Sequence, residues 1–141
     1  MAKADSKLMI TAGRWLLALY FLVPGIMKFM AWDMSIKLMT DHGIPSPAPL
    51  LVIAGAANII GALLLFTNRF VRLTALGFVV YILIINATLH NFWTLDGVEA
   101  GHELQNFIKN LGILAGLLVL AGISPKRALR PSGLLVSDAR A

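Results

Sequence analysis

Seven polar side chains set within an otherwise apolar sequence could do chemistry: Lys28, Asn58, Asn86, His90, Asn91, Asn106 and Lys109. Two amines, one imidazole and four amides supply cations and hydrogen-bond donors, not nucleophiles or paired acids. They suit a cationic ligand pocket better than a hydrolytic centre. No Gly-rich phosphate loop, nucleophile elbow or pair of facing carboxylates accompanies them. His42, His90 and His102 have acidic neighbours in sequence, yet their spacing matches no compact zinc motif, so no metal site is expected. Haem ligation needs two opposed histidines, and only His90 is clearly placed at a helix. The absence of cysteine excludes disulfides, thiolate metal sites, Cys-ligated iron–sulfur clusters and covalent c-type haem.

The elements that carry these residues are four long apolar runs. With 58% hydrophobic and 13% charged residues in 141, a soluble domain could not hide so much apolar surface. Spanning helices of roughly 20 residues are expected at about Leu8–Met30, Pro49–Thr67, Leu73–Phe92 and Glu103–Ile123. The expected fold is therefore all-α: a four-transmembrane-helix bundle over residues 1–123, with a basic, mobile tail over 124–141. Lys3 and Lys7 precede an apolar stretch, but Lys28 stands where a cleavage site would fall, so the first segment reads as a retained helix and not a signal peptide. The +5 charge is a topology signal and not a nucleic-acid one. Lys3, Lys7, Arg14, Arg69, Arg72, Lys126, Arg127, Arg130 and Arg140 collect at one end, against Lys28, Lys37 and Lys109 at the other. The positive-inside rule then puts both termini in the cytoplasm of a plasma (inner) membrane protein. Arg14 and Trp15 read as anchors at the cytoplasmic interface.

In the first outer loop, Trp32, Ile36 and Met39 recur at i, i+4 and i+7, which predicts a short amphipathic interfacial helix. Gly43-Ile44-Pro45-Ser46-Pro47-Ala48-Pro49 then turns the chain back into the membrane. The short link Asn68–Arg72 makes the second and third spans antiparallel neighbours. Asn58-Ile59-Ile60-Gly61 echoes Lys109-Asn110-Leu111-Gly112, and Arg14 and Arg72 open the first and third spans. Both echoes suggest a hairpin duplicated in parallel.

Depths follow from the helical rise. Asn58 lies roughly 15 Å from the end of its span, and Lys109 about 22 Å from the end of its own. Asn86 is one turn deeper than His90 and on the same face if the helix continues. His102, Asn106 and Lys109 form a stripe that continues into Gly112 and Gly116, a pair suited to close helix contact. Intramembrane lysines normally face the bundle interior and mark function, so Lys28, His90 and Lys109 are expected to share one outward-facing pocket. Pro24-Gly25 would kink the first span and open space beside it. Bland alternatives stand beside this reading: lysines that snorkel, His90 in an aromatic belt with Phe29 and Trp32, and Asn58 as a hydrogen bond between helices. For Lys109, partners are expected among Glu103, Asn106 and the ligand.

The chain resembles the DoxX-like family of small four-helix membrane proteins over about Arg14 to Ala121. The likeness rests on Arg14 with Pro24-Gly25-Ile26-Met27-Lys28-Phe29, on Gly43-Ile44-Pro45, on Asn58-Ile59-Ile60-Gly61, on His90-Asn91-Phe92-Trp93 and on Gln105-Asn106-Phe107-Ile108-Lys109-Asn110. The family pattern usually has a glutamate at the position of Asn58, so a buried carboxylate that could pair a lysine or relay a proton is missing here. The resemblance implies a membrane subunit of a quinone-linked oxidoreductase system, with a quinone or small anionic ligand held by the lysines and histidine. Redox groups would come from a partner protein or from the ligand. Rival classes are a small-solute transporter or channel acting as a homo-oligomer, and a non-catalytic scaffold. The only certain partner is the lipid bilayer, and nucleic acid is not expected.

Overall fold

The computed structural model describes residues 2–138, with side chains from residue 4 onward. The Lys3 side chain and Arg140, both counted above toward the basic end, lie outside the described residues. Helices α1 (Ala2–Met30), α2 (Trp32–Asp41), α3 (Pro47–Phe66), α4 (Val71–Thr88) and α5 (Gly97–Ile123) follow one another, with 3-10 turns at Phe92–Thr94 and Pro131–Leu135. Among the described residues, α1, α3, the α4 segment and α5 are long and apolar enough to cross a membrane. The expected all-α four-span architecture is what the chain forms.

Local sequence explains the boundaries. The short α2 buries nothing, carries the ion pair Lys37 to Asp41 at 2.6 Å and ends at Gly43, whose φ of +68° suits a residue without a Cβ. Two prolines then open α3 in its first turn, where no N–H is needed. Between α3 and α4 the chain turns within four residues, with Asn68 and Phe70 held in the left-handed region at φ +55° and +46°. The α4 helix ends at Thr88, earlier than the sequence suggests, and α5 begins at Gly97, earlier again. A helix of 27 residues is about 40 Å long, so part of α5 stands clear of a hydrocarbon layer about 30 Å thick.

Two hairpins make the bundle. Helix α1 packs mainly on α3, and α4 mainly on α5. Between the hairpins, Phe21 and Phe78 stack face to face with centroids 3.6 Å apart, inside a core that includes Ala18, Leu65, Ile82 and Leu117. Phe78 also lies against Gly61, where a Cβ would collide with its ring. Arg14 is almost fully buried and donates to the carbonyls of Leu65, which also accepts from the Asn68 N–H, and, at 3.1 Å, Phe66, at the end of α3. Arg72 does the same for α5, donating to the Ala121 carbonyl at 3.2 Å. The expectation that Arg14 is an interface anchor is therefore corrected: it caps its hairpin partner, while the half-exposed Trp15 rests on Phe66.

The tail does not hang free. The Asp138 carboxylate accepts from the Phe70 and Val71 N–H groups at 3.1 and 2.8 Å, and its own N–H donates to the Asn68 carbonyl at 2.7 Å. Arg127 pairs with Asp138 at 2.7 Å and sits over the Phe70 ring, 4.8 Å from its centroid. The expected mobility of this segment is replaced, up to residue 138, by a latch on the α3–α4 turn.

Candidate functional site

Three polar groups mark the structure, two of them built on the same plan in the two hairpins. Fourteen residues after each capping arginine comes a polar residue aimed at the partner helix: Lys28 after Arg14, and Asn86 after Arg72. Each meets a buried asparagine of that helix, Asn58 in α3 or Asn110 in α5. A tyrosine of the other hairpin approaches the same asparagine: Tyr81 reaches Asn58, and Tyr20 reaches Asn110.

The α5 version is closed. Tyr20 donates to Asn110 Oδ1 at 2.7 Å, Asn110 Nδ2 donates to Asn86 Oδ1 at 2.8 Å, and Asn86 Nδ2 donates to the Phe107 carbonyl at 3.3 Å. Neutral donors and acceptors balance, so the network holds α1, α4 and α5 together without any buried charge.

The α3 version contains a cation. The Asn58 amide fits its surroundings with Nδ2 donating to the Ala54 carbonyl at 3.3 Å and Oδ1 accepting from Lys28 Nζ at 3.3 Å. The Tyr81 hydroxyl lies 3.4 Å from that same amide terminus. Lys28 Nζ also reaches the Pro24 carbonyl at 3.5 Å and lies 6.0 Å from the centre of the Tyr81 ring. All these partners are neutral. Gly25 makes the approach possible, because a Cβ there would come within 2.9 Å of Asn58 Cβ. The Pro24-Gly25 pair therefore closes α1 onto α3 and does not open a space beside it.

The third group lies where α4 gives way to the loop. His90 Nδ1 meets Glu103 Oε2 at 2.6 Å, Asn106 Nδ2 donates to the same oxygen at 3.2 Å, and His102 is 3.6 Å from Oε1. Lys109 is exposed and donates to Asn106 Oδ1 at 3.1 Å. Phe92, Trp93 and Phe107 pack edge to face beside them.

The sequence-derived residues thus fall into separate groups. No hydrogen bond or ion pair among the described residues joins Lys28 to His90 or Lys109; Lys28 bonds with Asn58 and Pro24, while His90 and Lys109 belong to the group around Glu103 and Asn106. His90 stands beyond the end of α4, which removes the stacking that would have set Asn86 beneath it. Asn91 enters only through its backbone carbonyl, which accepts from Thr94. Gly112 has no close neighbour and Gly116 only approaches Leu17, so the pair makes no tight helix contact, and Gly116 borders a groove between α1 and α5. Tyr20, Tyr81 and Asn110 were missed as site residues. Their signal was available, since both tyrosines of the chain fall within spans, where a hydroxyl needs a partner. Among the described residues, no three His, Cys, Asp or Glu side chains gather as metal ligands.

The sequence pattern of the DoxX family matches residues 9–91. The inner membrane protein YphA of Escherichia coli (strain K12) is 29% identical over 122 residues, covering 86% of this chain and 87% of that protein. No solved structure matches the chain.

Proposed function

The chain belongs to the DoxX family, and on that premise we propose that it is an inner-membrane subunit of a quinone-linked oxidoreductase system that holds a small anionic or quinone-like ligand at Lys28. The location is supported by the relative's name, inner membrane protein. The ligand is supported by one observation: Lys28, partly buried along its stem, turns its ammonium toward Asn58 and Tyr81, and no carboxylate among the described residues pairs with it. A cation with only neutral partners favours an anion or an electron-rich oxygen beside it.

The donor set fits a quinone head group. Lys28 Nζ and the Tyr81 hydroxyl can both donate to a carbonyl oxygen, and Asn58 positions the ammonium. A bound quinone would supply electron acceptance, which no side chain here provides. The line from His90 through Glu103 and Asn106 to Lys109 ends on the exposed face of α5, where a redox partner protein could dock.

Native mass spectrometry from mild detergent tests the assignment. The wild type should carry a small ligand, a quinone or an anion, that Lys28→Met loses and Lys109→Met keeps. Equal retention by wild type and Lys28→Met would remove Lys28 from the site.

A further inference from the structure

The docked tail creates a cavity that Lys28 does not line, independent of the ligand proposed there. A crevice of about 370 Å³ lies between the tail and the α3–α4 turn, lined by Leu64, Phe70, Leu73, Leu129, Arg130 and Leu134 among others. That volume is in the range of small-molecule sites, about 300–1,000 Å³. Its place in the fold matters more than its size. Leu64 belongs to the last turn of α3 and Leu73 to the first turn of α4, so the crevice sits where the spans leave the hydrocarbon. The tail offers further apolar surface there, with Leu129 74% and Leu135 81% exposed. Exposed leucines interleaved with basic residues are the composition of a segment that rests in the headgroup region.

Charge selects the occupant. Among the described residues, three arginines at this end are already engaged with protein oxygens: Arg14, Arg72 and Arg127. Arg130, at the crevice, is exposed, and its side chain makes no hydrogen bond or ion pair among the described residues. Arg69, next to Phe70, has a buried Nε with no partner. Lys126 adds to the same positive field. An apolar slot at headgroup depth, lined on one side by the unpaired Arg130 side chain and by Phe70, next in sequence to Arg69, complements a molecule with an acyl chain and a phosphate. We propose that this crevice binds an anionic phospholipid, with one chain against Leu64, Leu73 and Leu134 and the phosphate at Arg130 and Arg69. The Arg127–Asp138 pair and Phe70 hold the tail in the position that forms the slot.

The test is lipid retention by the full chain. Protein in a neutral detergent is equilibrated with equal amounts of phosphatidylglycerol and phosphatidylcholine and read by native mass spectrometry. The wild type should retain phosphatidylglycerol preferentially. Arg130→Gln should reduce that preference about fivefold, the factor one arginine near an anionic surface is worth. Leu134→Asn should lower retention of phosphatidylglycerol, and Lys126→Gln should change it less than Arg130→Gln. Lys28→Met should leave it intact, which separates this site from the ligand at Lys28. Equal retention of the two lipids would overturn the proposal. So would equal losses for Lys126→Gln and Arg130→Gln, which would mean a diffuse basic surface with no built site.

Discussion

Arg14 and Lys28 lie on the same helix and both carry charge into apolar surroundings, yet they do different work. Arg14 satisfies carbonyls that α3 cannot satisfy itself, and hydrogen bonds to charged groups are worth about 1.5–3 kcal/mol. Arg14→Leu should therefore lower the unfolding free energy by about 2 kcal/mol, measurable by denaturant titration in detergent; an unchanged midpoint would return Arg14 to the role of a surface anchor. Asn58 tests the other end of α1. Asn58→Glu puts a carboxylate beside Lys28 and should be tolerated or stabilising in the same assay, whereas Asn58→Leu should cost about 1 kcal/mol, the scale of one hydrogen bond between membrane helices. The sequence marks Lys28, Asn58 and Lys109 as unusual, because charge and amides are rare in lipid. It cannot say which of two lysines turns inward. That choice depends on Gly25 admitting α1 against α3, a contact between segments more than thirty residues apart.

At the scale of elements, hydropathy fixes where helices are and tertiary bonds decide where they stop. The short α2 was legible from its i, i+4, i+7 spacing and from the glycine and prolines after it. The early ends of α4 and starts of α5 were not, since Phe92 and Trp93 leave the helix to pack on Phe107. Least legible was the tail, whose basic and proline-containing composition suggests disorder. One buried carboxylate reverses that reading, because Asp138 caps the start of α4 with two backbone N–H bonds. Asp138→Ala should cost about 1–2 kcal/mol, the range for a lost cap. Hydrogen exchange gives the more local readout, with protection falling first in the opening turn of α4. Unchanged exchange there would show that the latch is not what orders the turn.

For the whole molecule, the recurring arginine, polar residue and asparagine in each hairpin describe two copies of one unit, distinguished by a lysine in the first where the second has Asn86. The neutral copy is closed on itself and supports the bundle, while the charged copy is the candidate site. An even number of spans puts both ends of the bundle's chain on one side, and the distribution of basic residues predicts that this side is cytoplasmic. In this cysteine-free chain, Leu135→Cys should resist an impermeant thiol reagent added to intact cells, and Glu99→Cys should react; the reverse pattern would invert the protein. The central claim concerns Lys28, and the shift in melting temperature caused by a short-tailed quinone measures it most directly. The account predicts a shift in the wild type that is lost in Lys28→Met and kept in Lys109→Met. A full shift in Lys28→Met, or equal losses in both variants, would contradict it.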